Sequence, residues 1–274
     1  MDFVFSPSEI MPMLACLPNA VGSFSVYFLA GIAPCLLWLV FYLRRDRHPE
    51  PKKEIVAVFA LGAFMITPAV GIEILLINAI SALGLPLLVS VILSNVVAIA
   101  FVEEFAKYAA VWLKEQAINQ NHYLDEPVDF VIYMVVSALG FAAVENLLFL
   151  LPEVGKQLAG SATLLQVDGA AYLVLLSLSR SMSVILLHTL CSGIVGYYMA
   201  LAFCHRERKT GLLAAAFFTV SCLHGLYNFS IMESANDLRF LAIPLLILAA
   251  LAFTLYVQFH QLLKMKSVCS MRLK

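Results

Sequence analysis

Leu85–Leu113, LPLLVSVILSNVVAIAFVEEFAKYAAVWL, decides the fold of this chain. Its apolar run exceeds the ~20 residues needed to cross a ~30 Å hydrocarbon core, so it reads as a membrane-spanning helix. Yet Glu103, Glu104 and Lys107 sit about halfway to two-thirds along it. A charge at bilayer depth costs at least about 2.5–3.5 kcal/mol even on lenient insertion scales, so such groups usually face a cavity or a partner and carry a function.

Six further segments have the same length and character: roughly Val21–Leu43, Ile55–Ile80, Val128–Leu151, Tyr172–Phe203, Leu212–Met232 and Phe240–Leu263. The chain has 274 residues, 62% of them hydrophobic and 13% charged. Soluble domains carry about 25% charged residues, which excludes that class. A β-barrel would show dyad alternation instead of long apolar runs. The fold class expected is therefore all-α: a polytopic membrane protein of about seven transmembrane helices. Residues 1–20 would form an extracytoplasmic segment, 21–263 the membrane domain and 264–274 a cytoplasmic tail. No secretory n-region precedes the first span, which is expected to remain in the mature chain.

Basic residues set the orientation. One family of loops holds Arg44, Arg45, Arg47, Lys52, Lys53, Lys114, Arg206, Arg208, Lys209, Lys264, Lys266, Arg272 and Lys274, whereas the other holds only Lys156 and Arg239. The positive-inside rule then places the N-terminus outside and the C-terminus in the cytoplasm. The stretch from Arg44 to Lys53 is explained by topology and by anionic lipid head groups. A net charge of −1 gives no sign of a nucleic-acid partner. Cysteines 16, 35, 191, 204, 222 and 269 show no paired spacing and read as small apolar residues.

Three other spans carry buried polar groups of their own: Glu145-Asn146, His188, and His224 with Asn228. Glu103 and Lys107 are four residues apart and share a helix face, whereas Glu104 is turned about 100° away. Alone, the first pair would read as a structural ion pair between helices. Gly140-Phe141-Ala142-Ala143-Val144 before Glu145 permits close helix approach. Asn146 alone would be interhelical glue, and His188 alone a hydrogen-bonding residue. His224 and Asn228, again four apart, aim at one point. At 1.5 Å rise per residue, Glu103 and His224 lie roughly 15 and 18 Å from the inner ends of their spans. Glu145, His188 and Asn228 come out at roughly 22–26 Å, compatible with one cluster in the middle to outer half of the bilayer. Glu73 belongs to a similar layer. Histidines 48, 122, 205 and 260 fall in loops or at interfaces.

These residues resemble the PrsW family of intramembrane proteases. The similarity rests on Glu103-Glu104-x-x-Lys107, Gly140 to Asn146, His188, and His224-x-x-x-Asn228 in that order. The cytoplasmic Asp46-x-x-x-Glu50-Pro51 is also similar. The resemblance implies a multi-pass protein of the bacterial cytoplasmic membrane, related to the CAAX prenyl endopeptidases and Abi proteins. It implies the first, extracytoplasmic (site-1) cut of a single-pass anti-sigma factor. It also implies that Glu103 activates water while His224 and Asn228 stabilise the oxyanion.

Peptide hydrolysis needs a base, oxyanion stabilisation and a proton for the leaving amine. Glu103 is the expected base, with Glu104 or Lys107 orienting it. Either His224 with Asn228 forms the oxyanion hole, or His188, His224 and Glu145 hold a zinc that activates water. Two rival readings are a proton-coupled transporter, against which stands the lack of inverted repeats, and a non-catalytic scaffold of the same superfamily.

Overall fold

Inside lipid an apolar chain satisfies its backbone polar groups as helix or as closed barrel. Among the described residues every regular element here is helical. The computed structural model describes residues 21–44, 50–117, 124, 126–158 and 169–265. The expected segment 1–20, nearly all of the tail 264–274, Asp46, His48 and His122 lie outside them.

In chain order the elements are α1 (Val21–Leu43), α2 (Lys52–Ala82), α3 (Leu87–Leu93), α4 (Val102–Ala117), α5 (Pro127–Leu158), α6 (Gly169–Arg180), α7 (Leu186–Cys204), α8 (Lys209–Glu233) and α9 (Ala242–Leu262). Six continuous helical stretches are long and apolar enough to span, and α1 adds a shorter apolar stretch, Tyr27–Leu43. The seven expected spans coincide with these, α1 being the one that falls short of full crossing length over its described apolar part.

Two spans depart from a plain α-helix. Ser94–Phe101 joins α3 to α4, and Ser181–Ile185 joins α6 to α7, each with π-helical i→i+5 bonding. Such turns widen a helix locally and are frequent at functional sites. Here each leads directly into a stretch that carries polar residues, Val102–Lys107 in one case and Leu186–Ser192 in the other. Sequence periodicity gave no sign of them.

The centre of the bundle is formed by α5 and by α6–α7, whose spans are two-thirds buried, while Lys52–Ala82 and Leu238–Leu262 are only 28% buried. The outer helices turn Leu37, Leu75, Phe218, Leu246 and Phe253 outward. An apolar exterior of this extent suits lipid and would aggregate in water. Close approach in the centre depends on small residues. A Cβ on Gly140 would collide with the Phe59 carbonyl oxygen of α2, and one on Gly62 with that of Ser137 of α5. α2 and α5 therefore cross backbone to backbone.

At one end of the bundle, Lys114 pairs with Glu54 at 2.6 Å and Tyr133 donates to Glu50 at 2.7 Å. Arg206 and Lys209 share a cavity wall with Glu115 at that same end. Three of the basic loop stretches thus come together, as a membrane protein with one basic face requires.

Candidate functional site

Four helices deliver the polar residues to one place. α4 brings Glu103, Glu104 and Lys107 at the start of its first turns; α5 brings Glu145 and Asn146; α7 brings His188 and Ser192; α8 brings His224. Glu104, Lys107, Ser192, His188 and His224 are all at least 98% buried.

They form one continuous hydrogen-bonded chain. Arg180 Nη2 donates to Glu145 Oε1 at 2.9 Å, and Glu145 Oε2 meets His188 Nε2 at 2.6 Å. His188 Nδ1 lies 2.6 Å from Lys107 Nζ, which donates to Glu104 Oε1 at 2.8 Å. Glu104 Oε1 in turn meets His224 Nδ1 at 3.1 Å, and its Oε2 accepts from Ser192 at 3.1 Å. Unpaired charges this deep would each cost several kcal/mol, so mutual pairing is what makes the cluster tolerable.

The chain fixes the imidazoles. An ammonium has no acceptor, so beside Lys107 the Nδ1 of His188 must accept and its Nε2–H must donate to Glu145. His224 donates from Nδ1 to Glu104. A third carboxylate lies beside the nitrogens turned away from Glu145 and Glu104: Glu103 Oε2 is 3.7 Å from His188 Nδ1 and 3.7 Å from His224 Nε2. That oxygen is buried, 3.5 Å from Lys107 Nζ, and makes no hydrogen bond among the described residues.

A metal fits this donor set. Ligand atoms of Glu103, His188 and His224 lie within 4.8 Å of one another. Each histidine has a carboxylate on its far nitrogen, the arrangement that orients imidazole ligands in metal sites. Glu103, Glu104 and Glu145 set three carboxylates against the two fixed cations Lys107 and Arg180, a negative balance that a cation would relieve. Lys107 Nζ competes for the His188 Nδ1 lone pair. A second group, Glu104, Cys191 and His224, also has its ligand atoms within that range.

The expected ligand set was Glu145, His188 and His224. The two histidines do converge, but the carboxylate between them is Glu103, and Glu145 stands behind His188. Glu103 and Glu104 leave the helix about 100° apart, as adjacent positions on an α-helix must. In the structure their side chains approach His224 from its two nitrogens. Asn146 accepts from Arg180 Nε at 2.7 Å and reaches the Gly31 carbonyl oxygen at 3.5 Å, so it braces Arg180 and lies outside the metal group. Asn228 is half-buried one turn beyond His224 and has no hydrogen-bond partner among the described residues.

Arg180 and Ser192 were not among the expected site residues, and Cys191 was expected to be only a small apolar residue. Arg180 is buried and bonded to Glu145. Cys191 and Ser192 follow His188 by three and four residues, one turn along the same face, and that spacing was the available signal. Glu73 on α2 lies close enough to Glu103 and Glu145 to feel both charges.

The family model described as "PrsW family intramembrane metalloprotease" matches residues 50–257. The chain is 28% identical over 219 residues to the protein named Protease PrsW of Oceanobacillus iheyensis, covering 80% of this chain and 88% of that protein. Its similarity to the Protease PrsW of Clostridioides difficile is 30% over 208 residues, covering 75% and 79%. For the Protease PrsW of Bacillus subtilis it is 26% over 209 residues, covering 76% and 83%. No solved structure matches the chain.

Proposed function

This chain belongs to the PrsW family of intramembrane metalloproteases, and we propose that the cluster around Glu103 is its hydrolytic centre. The substrate in this reading is a single-pass membrane protein, an anti-sigma factor, cut first near the extracytoplasmic side. The observation that carries the reading is Glu103 Oε2, a buried acceptor with no hydrogen bond between two oriented imidazoles.

Glu103 is the base. Its free oxygen takes a proton as water attacks the scissile carbonyl carbon, and the same proton passes to the departing amine. Negative charge gathers on the carbonyl oxygen. Lys107 supplies a fixed positive charge beside the reacting atoms, and Asn228 is a hydrogen-bond donor without another partner among the described residues. Preorganised donors of this kind stabilise a developing oxyanion because they need no reorientation in the transition state. Glu145 and Glu104 hold His188 and His224 in single tautomers. In the metal-assisted form of this reading Glu103, His188 and His224 would hold a zinc, which would lower the pKa of its water towards neutrality, and Glu103 Oε2 would then be a ligand in place of the free base.

Glu103→Gln tests the assignment. It keeps the shape of the side chain and removes the proton acceptor. Loss of a general base costs about 10²–10⁴-fold in rate. In proteoliposomes containing a single-pass anti-sigma-factor-like substrate, the variant should insert and fold normally and cleave at least about 100-fold more slowly. Cleavage at the wild-type rate by a folded Glu103→Gln protein would remove Glu103 from the chemistry. The buried chain from Arg180 to His224 would then stand as a proton relay, the transporter-like alternative.

A further inference from the structure

At the basic end of the bundle, about one turn beyond Lys107 along α4, lies a cavity of about 350 Å³. That volume is within the roughly 300–1,000 Å³ typical of ligand sites. It contains none of the cluster residues. Tyr108, Trp112, Phe130, Phe203 and Leu213 line it with aromatic and aliphatic surface drawn from α4, α5, α7 and α8. Arg206 and Lys209 line it as well, and both are exposed.

Among the described cations some pair with a carboxylate and others, these two included, do not. Lys107, Lys114, Arg180 and Arg239 each pair with Asp or Glu. Arg206 and Lys209 have no ion-pair or side-chain hydrogen-bond partner among the described residues. Glu115 is the one carboxylate lining the cavity. One acid against two bases leaves a single net positive charge beside an apolar pocket, at the depth where a helix ends and head groups begin.

We propose that this cavity binds one anionic phospholipid, its phosphodiester held by Arg206 and Lys209 and an acyl chain laid against Tyr108, Trp112 and Phe203. A phosphodiester carries one negative charge and matches the local excess. Basic pockets between transmembrane helices at the head-group level hold anionic lipids for this reason. A zwitterionic lipid brings its own cation towards Arg206 and Lys209 and loses that advantage. A water-soluble phosphate ester would leave the aromatic wall uncovered.

The test uses the full chain, delipidated in detergent and titrated separately with phosphatidylglycerol, phosphatidylcholine and glycerol phosphate. Native mass spectrometry reads stoichiometry, and thermal unfolding reads stabilisation. The wild-type protein should retain one phosphatidylglycerol per chain with a raised Tm, and bind phosphatidylcholine at least about tenfold more weakly. The double variant R206Q/K209Q should lose that preference about tenfold or more while its lipid-free Tm stays unchanged. Leu213→Trp, which fills the cavity and leaves the charges alone, should also lose the bound lipid. Equal retention of the two lipids by the wild-type protein would overturn the proposal, as would undiminished phosphatidylglycerol binding by R206Q/K209Q. Glycerol phosphate competing as well as the whole lipid would reassign the site to a soluble phosphate ester.

Discussion

Lys107 is the hinge of the buried chain, because its ammonium touches Glu104 and His188 and stands 3.5 Å from Glu103. Truncating one partner of a buried charge pair leaves the other uncompensated, at a cost of about 3–5 kcal/mol. Lys107→Ala should therefore lower the unfolding temperature in detergent as well as cleavage, whereas Glu103→Gln should lower cleavage alone. If Lys107→Ala unfolds with the wild-type midpoint, the pairing is not what stabilises the cluster. The carboxylates also separate by role. With Glu103 as ligand and Glu145 as the group orienting His188, Glu103→Ala and His188→Ala should abolish metal retention in purified protein. Glu145→Gln should weaken it by about 10–100-fold, the range found for groups that orient a ligand. Equal loss of metal from the Glu145 and Glu103 variants would restore Glu145 to the coordinating set. At this scale the sequence was informative about residue types. Glu103, His188 and His224 stood out because ionisable groups are costly in lipid. Which nitrogen faces which oxygen was not legible, because it depends on rotamers fixed by neighbours far away in the chain.

The α2–α5 crossing sets the distance between the first turns of α4 and the Glu145 turn of α5, since α2 packs against both. Met65, Ile66, Ala69 and Val70 of α2 meet Val102, Ala106, Phe141 and Val144 in one apolar cluster. At Gly140 the opposing atoms are backbone, the Phe59 carbonyl carbon at 2.9 Å and the Ala63 nitrogen at 3.0 Å from an added Cβ. Backbone atoms of a packed helix cannot rotate aside. Gly140→Ala should thus destabilise by about 1–3 kcal/mol, the usual cost of overpacking. Gly71→Ala on the same α2 meets nothing within 4 Å. It should be neutral or gain up to about 1 kcal/mol of helix propensity. Thermal unfolding of the two variants side by side checks the contrast; equal behaviour would mean that the close crossing is not maintained. The small-residue run before Glu145 was readable in advance as a close-approach surface. The π-helical segments were not, because one residue of extra winding leaves apolar composition unchanged.

Over the whole molecule, the basic loops gather at one end, and the buried cluster lies between α4, α5, α7 and α8 with lipid-facing leucines and phenylalanines outside. The positive-inside asymmetry gives a topological expectation. A cysteine introduced near Gly160 should react with a membrane-impermeant reagent in intact cells, and one near Asn119 should be protected. The opposite pattern would invert the molecule and place the basic cavity at the outer face.

Sequence by itself determined that the chain is a set of long apolar helices, six of them long enough to span among the described residues, and the identity of the polar residues within them. Hydropathy and the cost of unsatisfied backbone in lipid are local quantities that each segment carries with it. Tertiary structure alone decided that Glu103 lies between the two histidines, that Glu145 backs His188, and that Arg180 turns inward from the end of α6. Those outcomes depend on the axial rotation of each helix and on the α2–α5 crossing distance. Both are set by side-chain packing between segments more than a hundred residues apart, such as Asn146 against Gly31.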